Sequence, residues 1–153
     1  MSFRFIPGRT YRMPVVFGPG LGPRQGEEGR KFTSPDSHKT ITRSVSFLTN
    51  RAPLEELLPE GFAVRGEPVV TVFASYMTEI EWLAGRGYNV LGVTIPVTFT
   101  GKVDRAVGRF LTVLCEDLTD PILTGAEELG IANSDCDLAE PRYHRGVTPG
   151  SAS

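Results

Sequence analysis

Three long runs rich in β-branched and aromatic residues follow one another between Glu67 and Glu116, with only short glycine turns between them. EPVVTVFASYMTE (67–79) reads as a strand with apolar residues on both faces, which predicts burial on two sides. AGRG (84–87) is a loop. YNVLGVTIPVTF (88–99) is a second strand, where Pro96 predicts an edge or a bulge. After a turn at Gly101, Lys102–Glu116 continues as a third, with Gly108 a candidate kink. No interval between these runs holds the dozen residues that a parallel crossover needs. Consecutive strands without helical crossovers predict an antiparallel or mixed β barrel rather than a doubly wound sheet.

The flanks add two short helices. HKTITRSVSFLT (38–49) alternates enough to be a strand. In Asn50–Pro59, Pro53 suits a first helical turn, and Leu54, Leu57 and Leu58 fall on one helical face. Gly61–Arg65 is a short extended piece. In Thr119–Gly130, Asp120 is a candidate cap, Pro121 suits the helix start and Gly130 its end. Asp135–Glu140 is expected to add one more strand. Residues 1–37 mix Gly, Pro and charge without a period and read as an irregular arm, and 143–153 as a flexible tail. Residues 38–142 then form one domain of mainly β structure with two short helices.

Composition narrows the functional classes. Seventeen glycines and twelve prolines in 153 residues argue for many turns and against a helix bundle. A formal charge of −2 offers no basic excess for phosphates, so nucleic acid is not an expected partner. No apolar run is long enough to span a membrane, and no secretory leader is readable. Cys115 and Cys136 make no disulfide framework, and a reducing cytoplasm is the simpler setting. His38 and His144 show no ligand spacing, and no metal or other cofactor is expected. Gly18–Gly22 resembles a phosphate loop in composition alone. Cys115, in the apolar run VLCEDL, reads as an inert thiol, and Glu116, Asp117 and Asp120 as a solvated turn. Trp82, Tyr88 and Asn89 border the AGRG loop, where a pocket wall competes with ordinary surface packing.

Three segments together resemble the acetoacetate decarboxylase-like family: PLEELLPEGFAV (53–64) leading into GEPVVTVF (66–73), EWLAGRGYNVLGVTIPVTFTG (81–101), and EDLTDPILTGAEELGI (116–131) followed by CDLAEPR (136–142). MPVVFGPGLGPRQG (13–26) is similar to an N-terminal arm of one branch. The resemblance implies an antiparallel, cone-shaped β barrel around a pocket, of which this chain carries the N-terminal part. It also implies homo-oligomers or a partner that completes the barrel, a small oxo-acid ligand, and lyase chemistry. In that chemistry a lysine forms a Schiff base with a β-keto acid, and the iminium takes the electrons released with CO₂.

The family commonly reads G-R-E-E-L-G, an aromatic or aliphatic residue, then P-K. The matching stretch is Gly125, Ala126, Glu127, Glu128, Leu129, Gly130, Ile131, Ala132, Asn133. Asn133 therefore stands at the Schiff-base lysine position. The pocket glutamate falls near Val90, and the pocket arginine near Thr40, with Lys39 and Arg43 the closest basic residues. Arg86, Tyr88, Asn89, Val90 and Glu127 are the candidate pocket residues. An amide is neither a nucleophile nor able to form an iminium. The resemblance thus implies a decarboxylase-like protein impaired in catalysis or limited to binding a small oxo acid. Its alternatives are a non-catalytic remnant or structural subunit, and a lyase that uses Lys31, Lys39 or Lys102.

Overall fold

The computed structural model describes residues 7–8, 32 and 38–139. The arm expected over 1–37, apart from three residues, and the tail expected over 143–153 lie outside the described residues. Six strands form one sheet: β1 (Lys39–Leu48), β2 (Phe62–Val64), β3 (Val69–Thr78), β4 (Tyr88–Thr100), β5 (Arg105–Glu116) and β6 (Ser134–Asp135). Helix α1 (Arg51–Glu56) joins β1 to β2, and α2 (Thr119–Glu128) joins β5 to β6. The order is β1-β3-β4-β5-β6, with β2 also paired to β4. Among the described residues the sheet does not close on itself, so the architecture is a partial barrel.

Every pairing is antiparallel except β5 with β6, which is parallel. The helix between β5 and β6 supplies the crossover that parallel pairing requires. The expected strand over Asp135–Glu140 is instead the two-residue β6, one position earlier.

One face of the sheet is closed at one end by α1 and β2. Leu54 and Val64 pack with Ile95 and Val97, and Leu58, Phe62, Val70 and Phe110 flank them. Phe62 meets Phe99 at 4.8 Å and Phe110 at 5.3 Å between ring centroids. Ile95 is only 1% exposed, and a side chain buried so fully contributes roughly 2–3 kcal/mol. Leu57, expected on the same helical face, is the C-cap of α1 and lies 60% exposed. Arg51 ties the β2–β3 turn to α1 by donating to the carbonyls of Val64 and Gly66.

Pro96 is neither on an edge strand nor in the bulge itself. It lies between the end of β3 pairing at Thr94 and the start of β2 pairing at Val97, and its carbonyl accepts from Arg65 N. A residue without an N–H is tolerated at that handover. The register shift falls at Val93/Thr94, where β5 carries one extra residue. β3 is half-buried along its length up to Met77, as its two apolar faces predict. α2 begins at Thr119 after the N-cap Leu118, with no side-chain cap, so Asp120 sits in the first turn rather than capping. Its place there still complements the helix dipole.

Candidate functional site

Side chains alternate along β4, so Asn89 and Val90 point to opposite faces of the sheet. The candidate pocket residues divide between those faces.

On the Asn89 face, Asn89 lines an open groove of ≈ 610 Å³ together with Lys39, Ile41, Tyr76 and Asp117, and Tyr88, whose side chain alternates to the other face, borders it at the strand end. That volume falls within the ~300–1,000 Å³ of typical small-molecule sites. Its base is held by a three-bond clamp between β4 and the β5–α2 connection. The Asn89 backbone N–H donates to Asp117 Oδ1 at 2.7 Å, and Asn89 Nδ2 donates to Asp117 Oδ2 at 2.7 Å. The Asp117 N–H returns a bond to the Asn89 carbonyl at 3.3 Å. Lys39 stands at the mouth, and its ammonium pairs with Glu79 at 2.6 Å. Both of those side chains are exposed, so the pair itself contributes little to stability. Gly87 allows the loop to lie against β3, because a Cβ there would stand 1.9 Å from the Met77 carbonyl oxygen.

On the opposite face, Val90 pairs in register with Glu116 of β5. Glu116 is 6% exposed, and Asn133 Nδ2 donates to its Oε2 at 3.0 Å. Asn133 reaches it because α2 folds back and Gly125 leaves space. A Cβ on Gly125 would meet Asn133 Nδ2 at 2.0 Å. Thr124, 1% exposed, donates its hydroxyl to the Asp120 carbonyl at 2.8 Å. The oxygen of the amide, Asn133 Oδ1, is buried without a partner. Farther along the same face, hydroxyls pair across β1 and β3, Thr42 with Ser75 at 2.9 Å and Ser46 with Thr71 at 2.7 Å. Arg109 Nε donates to Thr94 Oγ1 at 2.8 Å.

The structure thus brings Asn133 and Val90 together around Glu116, and joins Asn89 to Asp117 in the groove that Tyr88 borders. It leaves two candidates apart. Arg86 is exposed, with Nε directed at the Leu83 carbonyl at 3.4 Å, and Glu127 is exposed on α2. Glu116 and Asp117, expected in a solvated turn, are respectively buried and clamped. No grouping of three or more His, Cys, Asp or Glu suited to a metal ion occurs among the described residues. No described helix is long and apolar enough to cross a membrane.

The thiols also depart from expectation. Cys115 is half-buried rather than buried, and Cys136 lies beside it across the β5–β6 ladder. Burial, the Cys115 contact and the nearby carboxylates of Asp117 and Asp135 push the Cys136 thiol up to about 11.

Residues 13–148 match the family model described as acetoacetate decarboxylase. A solved acetoacetate decarboxylase from Legionella pneumophila superposes with a TM-score of 0.58 at 18% identity, over 98% of this chain and 55% of that one. An acetoacetate decarboxylase-like enzyme from Sphingomonas wittichii RW1 gives a TM-score of 0.49 at 24% identity, over 74% of this chain and 47% of that one. The first likeness is one of fold, and the chain spans about half the length of both structures. No curated protein matches it in sequence.

Proposed function

Since the chain belongs to the acetoacetate decarboxylase family, we propose that it binds a small oxo acid and performs no Schiff-base chemistry at the family's lysine position. The observation that carries this reading is Asn133. In this reading it stands at that position, and its amide nitrogen donates to the buried carboxylate of Glu116. An amide nitrogen has no lone pair available to attack a keto carbon, and without an iminium the electrons of a departing CO₂ have no sink. What remains is recognition. The groove supplies a cation in Lys39 for a carboxylate and a donor in Tyr76 for a keto oxygen.

A lyase using another lysine finds less support. Lys39 is held in its ion pair with Glu79, and an ammonium cannot attack a carbonyl. Lys102 is exposed in the β4–β5 turn. Lys31 lies outside the described residues.

The open sheet favours completion by a second copy or another chain as a companion reading. All ten residues of β1, which ends the sheet among the described residues, are exposed, including Ile41, Val45 and Phe47. In this reading residues 38–142 are the N-terminal part of a barrel domain. Two thiols without a disulfide fit a reducing cytoplasm.

The test of binding is an amide-shift titration with acetoacetate on the native chain and on Lys39→Ala. Saturable shifts at Lys39, Tyr76 and Tyr88, weakened at least tenfold in the variant, are expected. Absence of any saturable shift overturns the reading.

A further inference from the structure

Cys115 and Cys136 lie 21 positions apart in sequence, yet the parallel ladder brings them together. Cys115 pairs with Ser134, and Glu116 with Asp135. The Cys136 N–H extends that ladder by donating to the Glu116 carbonyl at 3.1 Å. Residues two apart on a strand share a face, so Cys136 projects on the side of Ser134 and Cys115. The ladder therefore makes the two thiols neighbours, and both residues are partly open to solvent.

We propose that Cys115 and Cys136 form a reversible disulfide by exchange with a low-molecular-weight disulfide, and that this bond staples the segment carrying Asn133 to β5. The exchange balances in two steps. The thiolate of Cys115 attacks one sulfur of the small disulfide, whose S–S bond breaks and releases the first small thiolate. Cys136 then loses its proton and attacks the Cys115 sulfur of the mixed disulfide, releasing the second. The two protein thiols give up two protons and two electrons, and the small disulfide takes up both pairs as two thiols.

Closure requires the two sulfurs to approach to ~2.05 Å. β6 is able to move because it is only two residues long and is held by a short ladder. Burial and the neighbouring Cys115, Asp117 and Asp135 hold Cys136 as the neutral thiol, which makes it the slower, resolving sulfur. The closed loop contains all of α2 and Asn133. Its effect is therefore on how firmly Asn133 is held against Glu116, whatever the groove binds.

The experiment incubates the reduced full chain with glutathione disulfide, then blocks remaining thiols and reads intact mass and the non-reduced peptide map. Cys115→Ser and Cys136→Ser are treated alongside, with circular dichroism to establish that each is folded. The expected native product is two hydrogens lighter than the reduced chain, with the Cys115 and Cys136 peptides joined. Each variant stops at one glutathione adduct on its remaining cysteine or stays reduced. Amide hydrogen exchange over 129–136 is expected to slow at least threefold on closure and to recover with dithiothreitol. Stable glutathione adducts on both cysteines of the native chain overturn the proposal. So do joined peptides that appear only under denaturant, or closure that leaves exchange over 129–136 unchanged.

Discussion

Replacing Asn133 by Asp tests the contact on which the site depends, because the change is nearly isosteric and adds one charge. It places a second carboxylate where Asn133 Nδ2 now stands, 3.0 Å from Glu116 Oε2, on a residue only 6% exposed. At an effective dielectric constant near 20, two like charges at that distance repel by about 5–6 kcal/mol. Holding one proton on the pair at pH 7, about 3 units above an ordinary carboxyl pKa, costs roughly 4 kcal/mol. Protonation is the cheaper course, so the variant pair retains one proton at neutral pH. Its pKa in the folded state is raised above that in the unfolded state. The penalty is therefore absent below about pH 4 and grows as pH rises, by about 1.4 kcal/mol per unit toward neutrality. Urea denaturation of both proteins at pH 5, 6 and 7 measures this directly. The expected loss is about 4 kcal/mol at pH 7, falling to between about 1 and 2 at pH 5. A loss below about 1 kcal/mol that does not vary with pH would refute the placement of residue 133 against Glu116.

Three further outcomes follow from the same geometry. Gly125→Ala drives a Cβ into the Asn133 amide and is expected to lower stability by about 2–3 kcal/mol, read as a shift in urea midpoint at unchanged slope. Asp117→Ala removes both acceptors used by Asn89. A loss of roughly 2–3 kcal/mol, about 5–10 °C in Tm, is expected, together with weakened acetoacetate shifts in the groove. Alkylation of Cys136 in a Cys115→Ser background reads its proton affinity. With the thiol pushed up by burial and by Asp117 and Asp135 as well as by Cys115, the rate should still be climbing above pH 9, whereas an ordinary thiol would level off there.

The strands were legible in the sequence where alternation and turns agree. β1, β3 and β4 lie within a residue or two of their expected bounds, because side-chain period and glycine turns are local signals. β6 was not legible. Ser134 and Asp135 form a strand only because α2 returns the chain to β5, and two polar residues carry no period of their own. The 3₁₀ turn Glu81–Leu83 shares this character, ending at Ala84 in the left-handed region with φ 55°. Glu116 shows the same limit at the site. As one of three acids at a strand end it reads as solvated, and its burial depends on Gly125 and Asn133 arriving from beyond the next helix. Val90, which the resemblance puts near the family's pocket glutamate, has a carboxylate directly across the ladder from it. Register, which the sequence does not state, is what makes Glu116 and Val90 neighbours. The thiol pair likewise follows from the parallel ladder and not from the spacing of the two cysteines.

Borohydride trapping with acetoacetate, read by intact mass on the native chain, decides whether any of its lysines forms a Schiff base. Reduction fixes any iminium as a stable amine, so one turnover's worth of Schiff base is enough to register. The chain is expected to show no adduct while still giving saturable acetoacetate shifts at the groove. An adduct on the folded native chain, mapped to Lys39 or to any other lysine, would contradict the account.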